Sequence, residues 1–148
     1  MSDILSKILG IALAFILLAF APLTINALSD DLTMKRASIN EVTNFINKAA
    51  DTGKITDGEL ADFYLGCASH GVIADVKIKR YIKVINPDGA GETVTTYVLS
   101  TDINKWNQGD VIQVTFKAID WTGAQRILWQ LIRIAQPKFE FTLAGKVR

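Results

Sequence analysis

The chain has one cysteine and one histidine, and their spacing makes them the first candidates for chemistry. Cys67 and His70 lie three residues apart in a segment predicted to be helical, so both side chains could lie on one helix face. A thiol beside an imidazole can act as a nucleophile or supply two metal ligands. The alternative is that Cys67 is a small core residue and that His70 ends the helix beside Gly71, where a cation suits the dipole. Because no other metal-type ligands accompany the pair, we expect no metal site and no cofactor.

Three carboxylates near a predicted helix start form a second candidate site. Asp57, Glu59 and Asp62 lie close together in the sequence. Paired carboxylates can serve as general acid and base, but carboxylates in a first helical turn more often interact with the helix dipole. The segment DGAG at residues 88–91 is too short and too turn-like to be a phosphate-binding loop. We find no catalytic constellation and expect that the protein is not an enzyme.

A basic run is the remaining candidate, and it consists of Lys77, Lys79, Arg80 and Lys83. It could contact a neighbouring subunit, a surface or DNA. The alternative is a solvated strand face, because Tyr81 is the only aromatic residue within the run. The net charge of the whole chain is +1, which indicates neither nucleic acid nor an acidic substrate as a partner. We expect no small-molecule substrate and regard nucleic acid as an unfavoured partner.

The elements that must position these side chains form a predicted globular head, residues 53–148. Thr56 and Asp57, with Glu59 close behind, predict the start of a helix that ends at Gly71. The segment AQRILWQLIRIAQP predicts a further helix that ends before Pro137. The tryptophans are expected in the core or in subunit contacts; they are Trp106, Trp121 and Trp129.

Alternation of apolar and polar residues predicts strands in DVKIKRYIKVI, TVTTYVL and VIQVTFKAI, and a last strand over residues 138–143. NPDGAG is the predicted turn between the first two. The residues expected to point inward are Val76, Ile78, Ile82, Val84, Ile112, Val114, Phe116, Ala118, Phe139, Phe141 and Leu143. The predicted fold is α+β: a long N-terminal hydrophobic helix, then a head with an antiparallel sheet of three to four strands and one or two further helices.

The N-terminal part of the chain is dominated by an uncharged stretch. After Lys7, the 22 residues from Ile8 to Ser29 carry no charge. A signal peptide would need a small residue at the −3 position, and cleavage after Ala27 would place Ile25 there. A membrane helix needs about 20 predominantly apolar residues, and residues 8–28 meet that length. The stretch could alternatively be a spine that packs against copies of itself.

An amphipathic helix follows the uncharged stretch directly. The apolar residues at helical spacing are Leu28, Leu32, Ile39, Val42, Phe45, Ile46 and Ala49. Pro22 is the only interruption and predicts a kink rather than an end, although Ser29 and Asp30 could instead cap a separate helix. We favour one kinked helix from about Asp3 to Asp51. Residues 1–28 are then the hydrophobic assembly or membrane segment, and residues 29–52 pack on the head.

This layout resembles the type IV pilin superfamily, which includes pseudopilins and short Tad-type pilins. The parts that carry the resemblance are a short polar N-terminus, an uncharged apolar helix, Pro22, an amphipathic continuation and a small α+β head. In that family the apolar halves of the helices bundle into a filament core, and the proline marks where the helix can bend or melt. A family glutamate also neutralises the N-terminal amine of a neighbour; here Asp3 could do so if Met1 is the true end, since a buried charge must be paired.

The resemblance implies a structural subunit of an extracellular pilus-like helical filament that passes through the cytoplasmic membrane before assembly. Its partners would be copies of itself and pilus assembly machinery. The expected assembly interface is formed by Ile8, Leu9, Ile11, Leu13, Phe15, Ile16, Leu17, Leu18, Phe20 and Leu23. The alternative is a single-pass membrane protein whose extracytoplasmic head binds a partner in a secretion or conjugation assembly. Lys7 before the apolar helix, with Asp30 and Asp31 after it, favours a cytoplasmic N-terminus in both cases.

Overall fold

A computed structural model describes residues 2–87, 92–133 and 138–148 of the chain. The predicted α+β class is confirmed, because a long apolar N-terminal helix precedes a second helix and a four-stranded antiparallel sheet. In chain order, the elements are α1 (Ser2–Thr52), α2 (Asp57–Ser69), β1 (Ala74–Pro87), β2 (Thr93–Ser100), β3 (Val111–Ala118), α3 (Gly123–Ile132) and β4 (Glu140–Lys146).

The contacts between residues divide the chain into two compact units. One consists of Met1–Thr33 and Thr122–Gln136, and the other of Met34–Trp121 and Pro137–Arg148. The second unit contains the end of α1, helix α2 and the whole sheet. The predicted boundary between an N-terminal helix, residues 1–52, and a globular head, residues 53–148, stays a prediction.

Helix α1 runs without a break through Pro22 and past Ser29, so no separate helix begins at Ser29 or Asp30. Proline lacks the N–H that would complete the helical hydrogen-bond ladder. Just after it, the Thr24 hydroxyl donates to the carbonyl oxygens of Phe20 and Ala21, at 3.0 and 2.9 Å. Back-bonding of this kind often accompanies helix bending. A kink at Pro22 stays a prediction.

The C-terminal part of α1 supplies one wall of the core. Val42, Phe45, Ile46 and Ala49 are buried, as their helical spacing predicts. The buried face does not extend back as far as expected, since Leu28 and Leu32 remain 54% and 49% exposed. Amphipathic spacing therefore predicts which face of the helix is apolar, but not the residue at which burial of that face begins.

Helix α2 begins with a capping box, as the sequence predicts. The Thr56 hydroxyl accepts a hydrogen bond from the Glu59 N–H, and the Glu59 carboxylate accepts one from the Thr56 N–H, at 3.3 and 3.0 Å. These bonds satisfy two backbone donors that a helix start leaves free. The helix ends at Ser69, and Gly71 follows with a φ of +74°, a conformation that favours glycine.

The sheet has the strand order β2-β1-β3-β4, and every neighbouring pair is antiparallel. Its inner face carries Ile112, Val114, Phe116 and Ala118, all buried as predicted. The Phe116 ring stacks on Phe141 of β4 with ring centroids 5.1 Å apart. Because side chains alternate along a strand, the odd-numbered residues of β1 and β2 lie on the opposite, outer face.

The last two elements differ from prediction at their ends. Helix α3 has its own capping box, formed by Thr122 and Gln125, but it ends at Ile132 rather than just before Pro137. Arg133 ends it in the left-handed conformation, with a φ of 54°. Strand β4 begins at Glu140 and continues to Lys146, beyond the predicted end at Leu143. The predicted turn at residues 88–91 lies outside the described part of the chain.

Candidate functional site

The uncharged stretch of α1 exposes many large apolar side chains. All ten residues of the expected assembly interface are exposed, from 49% for Phe20 to 76% for Leu18. They are Ile8, Leu9, Ile11, Leu13, Phe15, Ile16, Leu17, Leu18, Phe20 and Leu23. We call residues 8–28 the apolar segment.

The apolar segment has no polar face that could be left in water. Phe15, Ile16, Leu17 and Leu18 are consecutive, and successive helical residues project about 100° apart, so large apolar side chains surround the axis. The Thr24 hydroxyl bonds to the backbone of its own helix. A helix that is apolar on all sides is normally buried in protein or lipid. The segment therefore has the composition of a helix that protein or lipid normally covers on all sides.

Charges flank the apolar segment rather than enter it. The Asp3 carboxylate lies 3.6 Å from the Lys7 Nζ, and both side chains are exposed. Met1 lies outside the described residues, so pairing of Asp3 with an N-terminal amine stays a prediction. By length and composition α1 is able to cross a membrane. That property is shared by membrane anchors, signal sequences and assembly helices.

Cys67 and His70 do not form a nucleophilic pair. The Cys67 side chain is buried in the core, and burial, with a smaller effect of the Glu41 charge, raises its pKa to about 11. A thiol that stays protonated is a poor nucleophile. The His70 Nε2 instead lies 3.5 Å from the Glu41 Oε1. Among residues 2–87, 92–133 and 138–148, the structure shows no group of three or more potential metal ligands of the His, Cys, Asp and Glu types.

Of the three carboxylates of α2, only Glu59 takes part in the capping box of the helix. Glu59 closes the capping box and lies 3.6 Å from the Lys48 Nζ. The hydrogen bond from the Thr56 N–H is the main reason why the pKa of Glu59 is lowered, although partial burial opposes it. Asp57 and Asp62 are exposed. The arrangement stabilises a helix start and shows no acid–base pair.

The basic run is divided between the two faces of β1. Lys77 and Lys79 are exposed on the outer face and Lys83 is partly exposed, whereas Arg80 is buried. Arg80 therefore does not share the lysines' surface. Side chains alternate along a strand, so Arg80 lies on the same, inner face as Val76 and Ile78.

Arg80 belongs to a buried polar site that sequence reasoning missed. Its guanidinium donates to Asp110, and the Arg80 Cζ lies 5.7 Å from the ring centre of the buried Trp106. The Trp106 prediction as a core residue is thus confirmed. Trp121 is half-buried and Trp129 is 40% exposed. The buried site joins β1 to the turn before β3, and the Arg80 and Asp110 residues are almost completely buried.

Among the described residues, the apolar segment is the surface whose exposure most needs an explanation. Comparisons of the chain with protein-family models, curated proteins and solved structures gave no match.

Proposed function

We propose that this protein is a structural subunit of an extracellular pilus-like helical filament, assembled through its apolar segment. The observation that carries the proposal is the exposure of large apolar side chains on all sides of that segment. One partner surface can cover only one side of a helix. A bundle of identical helices covers every side, and a head-to-tail contact that does not close continues as a helical filament.

Leaving the apolar segment in water would be costly. Relative to water, covering one large apolar side chain contributes about 2 kcal/mol, so the ten interface residues together favour a covered state, in lipid or in a helix bundle, by about 20 kcal/mol before entropy costs. Ordinary soluble monomers rarely expose so large a contiguous apolar surface. The partners are copies of the same chain, with pilus assembly machinery acting on a precursor held in the cytoplasmic membrane.

The resemblance to type IV pilins supports the same proposal. It rests on a single helix that begins apolar and ends amphipathic, with Pro22 inside it, followed by an α+β head. In this proposal the filament lies on the cell surface. The protein has no enzymatic role.

A second candidate is favoured by the length of the apolar segment. Its 21 residues span about 32 Å as a helix, which matches the hydrocarbon core of a bilayer. In that case the protein is a single-pass membrane protein, and its head binds a partner in a secretion or conjugation assembly. Both candidates require a membrane stage, but only the filament requires the segment to leave the lipid.

Shearing the cells that make the protein separates the two candidates. We expect the protein in sheared fibres that electron microscopy shows as helical filaments. Leu17→Arg should abolish the fibres, because it places a charge in the bundle, while Leu17→Ile should leave them intact. Recovery of the wild-type protein only as a detergent-soluble monomer would overturn the filament proposal, as would intact fibres from Leu17→Arg.

A further inference from the structure

Helix α2 presents an exposed surface with an apolar centre and acidic margins. Asp57, Ala61, Leu65 and Ala68 recur at spacings of three and four residues, so they form one stripe along the helix, with Asp62 beside it. Leu65 is 68% exposed. The opposite side of α2 carries Phe63 and Cys67 into the core. We call the five exposed residues the acidic helix face.

The outer face of the sheet presents a surface of opposite charge. In the β1–β2 register, Tyr81 lies opposite Leu99, and Lys83 lies opposite Tyr97, with Lys79 two residues before Tyr81. Leu99 and Tyr97 are 56% and 45% exposed. Lys79 is exposed too. We call these five residues the basic sheet face.

The charges on both faces lack partners within the described chain. Residues 2–87, 92–133 and 138–148 show no ion pair that involves Asp57, Asp62 or Lys79. By contrast, Lys117 and Glu140, also on the outer sheet face, lie 3.5 Å apart as a pair. The acidic helix face and the basic sheet face are therefore available to another molecule, and each has an exposed apolar centre to bury.

We propose that the acidic helix face of one subunit docks on the basic sheet face of the next copy of this chain. This inference rests on the proposed filament and names a second contact within it, between heads. The two faces are complementary in charge, and each offers apolar side chains at its centre. Because the contact joins two different surfaces, it is head-to-tail and can repeat without closing, as a filament requires.

The contact between heads buries too little surface area to hold the subunits together by itself. A stable interface buries about 800 Å² on each partner, and five side chains on a helix or a sheet provide less. The contact between heads is therefore too small to assemble the protein alone. It sets the register and rotation of subunits that the apolar segment holds together, which is the usual contribution of complementary charge.

Charge reversal on the full-length protein tests the contact. Asp57→Lys with Asp62→Lys reverses the helix face, and Lys79→Glu with Lys83→Glu reverses the sheet face. We expect each reversed protein to yield about tenfold fewer sheared fibres, because both sides of the contact then repel. The protein with all four substitutions should recover to within about twofold of the wild-type yield, since attraction is restored with opposite sign. Lys54→Glu with Lys105→Glu is the control for the sheet-face reversal: it makes the same change of net charge on exposed residues outside both faces.

A disulfide test locates the contact directly. Leu65→Cys combined with Tyr97→Cys should give a ladder of covalent oligomers when fibres are oxidised with copper phenanthroline, because each subunit then links to both neighbours. Either single variant should give no ladder. Cys67 does not interfere, since it is buried and its pKa is raised to about 11.

The outcomes separate this inference from the filament proposal. Rescue by the fourfold variant together with the disulfide ladder supports a second copy as the occupant. If fibres form normally in both reversed proteins, the head contact is wrong and the filament stands. If reversal abolishes fibres without rescue, the two faces bind different partners, such as assembly machinery, and the inference is overturned. Absence of fibres from the wild type overturns the filament itself.

Discussion

Arg80 and Asp110 form a buried ion pair in which the guanidinium donates from Nε and Nη2 to one carboxylate oxygen, at 2.9 and 2.7 Å. Asp110 also accepts hydrogen bonds from the N–H groups of Asn107 and Lys83, at 2.9 and 3.1 Å. One carboxylate therefore ties the middle of β1 to the turn that precedes β3. The Arg80 side chain is held against Trp106 as well. The outer sheet face is built on this strand, so its geometry depends on the pair.

Removal of the carboxylate should be strongly destabilising. Asp110→Ala leaves the Arg80 guanidinium buried without its counter-charge, and we expect a loss of about 3–5 kcal/mol in the free energy of unfolding. Asp110→Asn should lose less, because it keeps one acceptor oxygen, although its NH2 group can no longer accept the hydrogen bond made by the other oxygen. Urea unfolding of the full-length protein in detergent, followed by tryptophan fluorescence, measures both.

The surface pair between Lys117 and Glu140 provides the control for this prediction. Its atoms lie 3.5 Å apart with both side chains about half-exposed, so Lys117→Ala should cost less than about 1 kcal/mol. A cost for Asp110→Ala that is no greater than for Lys117→Ala would show that the buried pair does not stabilise the head.

The Asp110 carboxylate should also make the stability of the folded protein fall at low pH. Burial raises the pKa of Asp110, but the hydrogen bonds from the Asn107 N–H, from Arg80 and from the Lys83 N–H outweigh burial and hold the pKa below its ordinary value of 3.8. The unfolded state therefore takes up a proton first as the pH falls. The stabilisation is complete above pH 3.8 and is lost as the pH falls through the lower folded pKa. Unfolding free energy measured between about pH 2 and 6 should fall steeply in the wild type and more gently in Asp110→Asn; equal slopes would contradict this assignment.

The sequence predicted the sheet well because strand periodicity is a local property. The inward residues Ile112, Val114 and Phe116 follow from alternation alone, and so does the α2 start from Thr56 and Glu59. Arg80 was misplaced because a run of basic residues suggests a solvated surface, although its parity already indicated the inner face. Its partner, Asp110, follows a Gly and resembles an ordinary turn residue; only the folded chain brings it to a strand 30 residues away.

The remaining differences between prediction and structure concern burial and helix ends, which sequence periodicity does not determine. Leu28 and Leu32 have the spacing of a buried helix face, but burial depends on what lies beside them. The end of α3 is set by Arg133 in the left-handed conformation, which arginine rarely adopts and no composition rule indicates. For the candidate site, the sequence identifies the apolar segment but not what surrounds it, because lipid and neighbouring copies of the helix can both bury the same hydrophobic residues.

Two glycines should respond oppositely to alanine. A Cβ on Gly145 of β4 would collide with the Ile46 Cγ2 of α1, so Gly145→Ala should cost about 1–3 kcal/mol of stability. Gly58, in the first turn of α2, has open space around it, and Gly58→Ala should stabilise by about 0.5–1 kcal/mol. Thermal unfolding of the two variants gives the comparison.

Combination with Ile46→Ala identifies the cause of the Gly145→Ala effect. Ile46→Ala removes the colliding methyl group, so the double variant should lose less stability than the sum of the two single losses. If the losses simply add, or if Gly145→Ala is as well tolerated as Gly58→Ala, α1 does not approach β4 closely in solution.

The Cys67 thiol should be inert in the folded protein and become reactive when the protein unfolds. Because burial, with the Glu41 charge, raises its pKa from 9.0 to about 11, its thiolate fraction near neutral pH falls about 100-fold, and the core also blocks access. Leu65→Cys places a second thiol on the exposed side of the same helix, and it should react with a disulfide reagent at least 100-fold faster than Cys67. The raised pKa also makes stability depend on pH. Below pH 9.0, Cys67 contributes fully to the stability of the folded state. As the pH rises towards about 11 this contribution is lost, because the thiol of the unfolded protein ionises first. Titration of the wild type with the reagent, with and without denaturant, measures the protection. Rapid labelling of the native wild type would mean that α2 opens readily from the core, and a helix that opens could not present the acidic helix face as a fixed surface.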